Sequence, residues 1–404
     1  MDSIAERYVK LVLGIGRHDP DMVDAYHGPP AWARSVEEQA RGLPALQAEA
    51  EELGAVLAAL PVPADGLHRL RREYLRKQVS AMAARCRMLR GERFGFDEES
   101  AALYDAVAPA FPEPHYRALV DALEPMLPGT GPVPARYEEY RKKFVIPPDR
   151  LDRVFTTAVE ESRRRTLAHI PLPEGERFTV EYVTGKPWSG YNWFKGDAFS
   201  LIQVNTELPI FIDRAVDLAA HEGYPGHHVY NALLESNLLR NRSWMEFSVY
   251  ALFSPQSLVA EGTANYGIEM AFPAEERVAF EEEVLFPCAG LDPASAAGYY
   301  RVQDLAAQLA YAGNEAARGY IDGAVTKEEA VQWLVDYALM GRDRAEQRIR
   351  FFDTYRSYVI NYNLGKDLVR AYVEGKGGLP AAPARRWEVF RELLSSPRLP
   401  SGLR

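Results

Sequence analysis

Along most of the chain apolar residues recur every three to four positions, the repeat of an amphipathic helix. This period predicts helices over 1–15, 35–60, 66–91 and 98–109, interrupted by GPP at 28–30 and PVPADG at 61–66. MLPGTGPVP, residues 126–134, reads as a hinge between an N-terminal helical part, 1–130, and a second part, 131–404. A further helix is expected over 148–169. The period then shortens to two. RFTVEYVTG from Arg177 and FSLIQVNT from Phe199 alternate apolar and polar residues, which predicts a small sheet over about 177–206. KPWSGYNWFKGD between them reads as a loop or hairpin connection. Helical periods resume at 209–224, 227–238, 255–271, 276–285, 296–322, 327–340 and 343–373. The expected fold is mainly α, with one small sheet beside the helix that leads into the candidate chemistry.

That chemistry lies in HEGYPGHHVY, residues 221–230, which holds three of the chain's eight histidines. Zinc hydrolases place two histidines one helical turn apart, so that both imidazoles reach one tetrahedral ion, with a glutamate beside the first as general base. His221 and Glu222 match that opening, but Pro225 stands where the second histidine belongs. In a straight helix His228 has nearly the angular position of His221 but lies about 10.5 Å further along the axis, while His227 faces elsewhere. Pro225 interrupts the hydrogen-bond ladder and Gly226 permits a sharp bend, so a kink or bulge can return either histidine to His221. Spacing does not choose between them. Before the cluster, Ile212, Ala215, Val216 and Ala219 form a stripe that predicts a buried helix face. FSLIQVNT suits an edge strand on a cleft, to which an extended peptide could add. Glu261, among Leu258, Val259, Ala260 and Ala264, is a carboxylate in an apolar setting that calls for a cationic or metal partner, and it is the candidate third ligand. A hydrogen-bonded packing cluster without metal is the alternative.

HEGYPGHHVYN resembles the HExxPGHH signature of the domain-of-unknown-function 885 family. VNTELPIFIDRAVDLAAHE is similar to the strand-then-helix lead-in of that family. VAEGTANYG resembles its EGWAxY element, with Glu261, Gly262, Ala264 and Tyr266 matching and Thr263 in place of tryptophan. YVINYNLGKDLV is similar to a C-terminal element ending in Tyr-x-x-Gly, here Tyr362 and Gly365, and HDPDMVDAYHGPPAW resembles the opening of one branch. The resemblance touches segments from residue 18 to about 370, with Arg356, Ser357 and Tyr358 standing where the family has Pro-Gly-Gln. It implies a fold similar to the helical, gluzincin-type zinc carboxypeptidases, with a deep cleft. It also implies one zinc ion held by His221, one or both of His227 and His228, and Glu261, with Glu222 as base.

The expected activity is that of a zinc metallopeptidase: hydrolysis of amide bonds in short peptides by metal-activated water. Tyr362 is the expected donor to the developing oxyanion, with Tyr266 behind it as a substrate contact. Asn205 and the aromatic segment Trp188, Tyr191, Asn192 and Trp193 could line the cleft, with a strand end and an aromatic packing cluster as the alternative. Arg348 or Arg350 could clamp a substrate carboxylate, as a carboxypeptidase requires. Two competing readings use the same residues: a metal-dependent hydrolase or lyase of a small non-peptide metabolite, and a catalytically inactive helical binding protein. A net charge of −10 argues against nucleic acid or an anionic membrane surface as partner. The basic run Arg69, Arg71, Arg72, Arg76 and Lys77 reads as a solvated helix face. No apolar run approaches the ~18–20 residues of a membrane span, and the N-terminus reads as an amphipathic helix instead of an export signal. Cys86 and Cys288, among apolar neighbours, are expected to be buried thiols. These features point to a cytoplasmic protein with a short peptide or small amide as substrate, and they leave room for a homodimer.

Overall fold

The computed structural model describes residues 1–186 and 188–404. Its fold is mainly α, as the periodicity predicts, with two small sheets where the pattern predicts one. The helices Asp2–Gly16, Gly66–Leu89, Leu151–Leu167, Pro255–Ala271 and Lys327–Tyr337 fall where the apolar repeat put them. Three long predicted helices are each divided in two. The 35–60 stretch becomes Pro30–Gln39 and Leu43–Ala59, and 296–322 becomes Ala296–Ala307 and Ala312–Ile321. The 343–373 stretch becomes Arg342–Tyr355 and Ile360–Gly375, with Arg356 between them at φ 50°. Buried Glu99 holds that break by accepting from the Ser357 backbone at 3.0 Å and from its hydroxyl at 2.6 Å. A distant carboxylate sets this corner, so local periodicity passes through it unmarked. The helices Glu113–Leu123, Val133–Lys142 and Pro383–Leu394 lie outside the predicted set.

Two sheets flank the site. Strands β1 (Val23–Tyr26) and β5 (Val249–Ala251) pair antiparallel, with Val23 opposite Ala251. Strands β2 (Arg177–Val183), β3 (Gly190–Gly196) and β4 (Phe199–Asn205) form the other, in the order β2-β4-β3. The segment read as a connection therefore contains β3, antiparallel to β4 with Asn192 opposite Ile202. This corrects the expected edge position of FSLIQVNT: β4 is paired on both sides, and β3 is the edge that borders the cleft.

The main buried cluster joins Tyr8, Leu11 and Leu75 of the first hundred residues to Leu258, Phe352 and Phe390 far along the chain. A second cluster takes in Ile212, Ala215, Val216 and Ala219, the predicted stripe, against Phe144, Phe272 and Phe286. Both cysteines are buried free thiols. The basic run is not uniformly solvated: Arg71 is buried against Glu246 at 2.6 Å, and Arg72 is buried as well. No helix among the described residues is long and apolar enough to cross a membrane.

Candidate metal centre and cleft

The α-helix Asp213–Leu218 does not run straight into the histidines. It widens into a π turn over Ala219–Gly223, which carries His221 and Glu222, and a new helix, His227–Leu234, begins after a corner at Pro225 and Gly226. A π turn inserts an extra residue and rotates the side chains beyond it, a common arrangement at functional sites. Gly226 closes the corner. Its N–H donates to the Ala220 carbonyl at 2.9 Å, and a Cβ there would lie 1.9 Å from the His221 carbonyl oxygen. No other residue fits so tight an approach.

This bend brings one of the two histidines back to His221. His227 Nε2 lies 3.1 Å from His221 Nε2. Glu261 Oε2 lies 3.3 Å from the first imidazole and 3.7 Å from the second. His221, His227 and Glu261 thus converge as a candidate metal-ligand set. His228, expected as a possible ligand, is not part of it. It is fully buried, with Nδ1 2.9 Å from Ser200 Oγ and Nε2 3.1 Å from Glu176 Oε2. Adjacent helical side chains point about 100° apart, so one first turn cannot aim both at the same ion.

The three ligand atoms fit a divalent cation. Bonds of about 2.0–2.1 Å in a tetrahedral zinc site place ligand atoms roughly 3.3 Å apart. Glu261 Oε2 is also buried without a hydrogen-bond donor. Its other oxygen accepts from the Tyr358 hydroxyl at 2.9 Å. Burial alone would raise the Glu261 carboxyl, yet the two facing imidazoles hold it well below the usual carboxylate range. Burial alone would likewise lower the His227 imidazole, yet Glu261, Glu222 and Asp24 push it up to about 9. The carboxylates make this pocket a place where positive charge is stabilised.

Glu261 and Tyr358 meet because two helices touch through glycine. A Cβ on Gly262 would lie 2.4 Å from the Gly365 carbonyl oxygen, so Pro255–Ala271 and Ile360–Gly375 pack backbone against backbone. The chain just before the second helix delivers Tyr358 to the carboxylate, and the first turn of that helix carries Tyr362 beside it.

The cleft around this centre encloses about 540 Å³, the size of a small-ligand site. Glu222 lines it, only 4% exposed, and its Oε1 would lie 2.8 Å from a Cβ added to Gly190 of β3. Asn192 of the same strand donates to the Glu222 carbonyl at 2.7 Å. Tyr362, Trp188, Tyr191 and Asn192 line the cleft, and so does Arg348. Several expectations fail. Tyr266 is fully buried away from the cleft, where its hydroxyl accepts from Arg386 Nε at 2.9 Å. Asn205, at the end of β4, spends its side chain on the segment before β3, donating to the carbonyls of Lys186 and Trp188 at 2.9 and 3.0 Å. Trp193 donates to Gln203 on β4, and Arg350 is exposed.

Sequence reading missed Tyr358, Asp24 and Arg344. Tyr358 and Tyr362 are four residues apart, a spacing that could have found the pair. Asp24, on β1, accepts from the Tyr191 hydroxyl, and burial pushes its carboxyl up to about 6. Arg344 stands one turn before Arg348 on the helix Arg342–Tyr355.

No family model matches the chain, and no curated protein is detectably similar. Among solved structures, the chain is similar to a protein from Colwellia psychrerythraea that carries a provisional lipoprotein designation. The two share 15% identity and a TM-score of 0.52 over 88% of this chain and 69% of that one. A second solved structure, described as BsuCP, aligns with 11% identity and a TM-score of 0.48 over 98% of this chain and 88% of that one. At this distance the first likeness is one of fold alone.

Proposed function

We propose that the chain is a zinc-dependent metallopeptidase that hydrolyses amide bonds in short peptides, and a member of the domain-of-unknown-function 885 family that its motifs resemble. The observation that carries this reading is the convergence of His221, His227 and Glu261 at 3.1–3.7 Å around a carboxylate oxygen that lacks a donor. An ion held by those three residues would supply Lewis acidity and lower the pKa of a water molecule. Glu222, next to the first ligand and on the cleft wall, takes a proton from that water as its oxygen bonds to the carbonyl carbon. It then returns the proton to the nitrogen as the C–N bond breaks, leaving an acid and an amine. The Tyr362 hydroxyl makes no hydrogen bond to the described residues and is free to donate to the carbonyl oxygen as charge develops there. The Tyr358 hydroxyl is occupied in fixing Glu261. Two buried thiols suit a reducing compartment, so the proposed location is the cytoplasm.

Elemental analysis and a single substitution test the reading together. The purified chain is expected to hold one zinc ion, and Glu222→Gln is expected to retain it while turnover on a panel of short peptides falls by about 10²–10⁴. Full turnover in Glu222→Gln would remove the base assignment, and a chain that binds no divalent ion would remove the hydrolase.

A further inference from the structure

Four arginines, Arg141, Arg214, Arg344 and Arg348, line the cleft of a chain whose net charge is −10. Two are neutralised: Arg141 lies 3.5 Å from Asp213, and Arg214 lies 3.1 Å from Asp217. The other two have no carboxylate partner among the described residues. Arg344 donates to the Pro209 carbonyl at 3.0 Å. Arg348 rests against aromatic rings, its guanidinium carbon 4.9 Å from the centroid of Phe351 and 5.7 Å from that of Tyr362, and its Nε is buried with no acceptor. Burial holds both guanidinium groups below their usual range, Arg344 at about 10, where Arg141 and Arg214 add repulsion. A guanidinium stays charged at neutral pH, and a half-buried cation without a counter-ion is costly to the fold.

The two side chains share a helix face, one turn apart on Arg342–Tyr355. Arg348 also stands beside the candidate ligands. The Tyr362 ring that Arg348 touches lies 5.9 Å from the Tyr358 ring, and Tyr358 holds Glu261. A guanidinium presents a planar fork of donors that matches a carboxylate. We infer that Arg344 and Arg348 form the subsite for the C-terminal carboxylate of a peptide, so that the amide cut is the last one and the enzyme is a carboxypeptidase. This deepens the hydrolase reading and rests on it for the bond that breaks. An anion there supplies the missing counter-charge, and the tyrosine between subsite and ligands fixes which amide reaches the centre.

Binding without turnover separates the two claims. Zinc-loaded Glu222→Gln protein would be titrated calorimetrically with N-acetylated dipeptides ending in Ala, Phe, Lys or Glu, each as the free acid and as the C-terminal amide. At least one free acid is expected to bind ten or more times more tightly than its amide. Adding Arg348→Ala, or separately Arg344→Ala, should reduce the acid to the level of the amide and leave the amide unchanged. Arg348→Lys should restore part of the preference, and Arg350→Ala, at an exposed position, should not alter it. Equal binding of acid and amide, equal loss of both in the arginine variants, or no binding in either form would overturn the subsite. An acid preference in a wild-type chain that cleaves none of the panel would sink the hydrolase and leave the carboxylate site standing.

Discussion

The imidazoles of His227 and His228 leave the first turn of one helix in directions about 100° apart, so their substitution should have opposite consequences. His227 faces His221 and the donorless oxygen of Glu261, while His228 bridges Ser200 and Glu176 in the interior. Removing one ligand of three should cost most of the metal affinity. His227→Ala is expected to weaken zinc binding in a chelator competition by at least tenfold. His228→Leu should instead act on stability. It leaves the buried Ser200 hydroxyl without its partner and takes one of the hydrogen bonds from Glu176, whose other partners are Tyr224 and Arg163. The expected cost is about 1–3 kcal/mol of stability, read by thermal unfolding, with a much smaller change in zinc affinity. Equal affinity losses in the two variants would mean that both imidazoles serve the ion.

Between elements, position is set by how closely backbones approach. Gly262 and Gly365 let two helices touch, and each would need its partner to move if it carried a methyl group, the Gly365 Cβ meeting the Leu258 carbonyl oxygen at 2.7 Å. Gly262→Ala should therefore force the helices apart, lose about 1–3 kcal/mol through overpacking, and draw Tyr358 away from Glu261. Gly54 is the control. It lies inside the helix Leu43–Ala59 with nothing near its Cβ position, so Gly54→Ala should stabilise by about 0.5–1 kcal/mol. Parallel thermal melts check both signs. The same contact marks how far the sequence could be read. Apolar repeats located most of the helices but not Glu113–Leu123, Val133–Lys142 or Pro383–Leu394, and residue chemistry singled out His221, Glu222 and Glu261, because those signals are local. The choice of His227 was hidden in a π turn, which spacing does not encode. Tyr266 matched a motif yet faces the interior, and the Asn205 side chain is taken up by carbonyls of Lys186 and Trp188, 19 and 17 residues earlier. Arg344 carried no local signal, since its meaning depends on the absence of a carboxylate contributed by distant segments.

On the scale of the molecule, a chain rich in buried ion pairs will show its electrostatics in how stability depends on pH. Behind the helix Asp213–Leu218, Arg277 is shared by two carboxylates, half-buried Asp217 at 2.9 Å and fully buried Glu281 at 2.9 Å. Asp217 also has Arg214, and these cations hold its carboxyl down against burial. Glu281 has only its share of Arg277, and one of its oxygens has no donor, so burial prevails and pushes its carboxyl up to about 7. A folded-state pKa above the unfolded value means that the native protein keeps this proton after the unfolded chain has lost it. Glu281 therefore contributes a stability that is complete below about pH 4.5 and declines as pH rises to about 7. Glutamine keeps the shape and cannot ionise. Glu281→Gln should match the wild type within about 1 kcal/mol at pH 4.5 and exceed it by about 2–4 kcal/mol at pH 8. Denaturant unfolding at the two pH values measures the difference. Parallel curves would show that Glu281 is already ionised in the native state at pH 4.5, with the Arg277 charge satisfying both carboxylates at once.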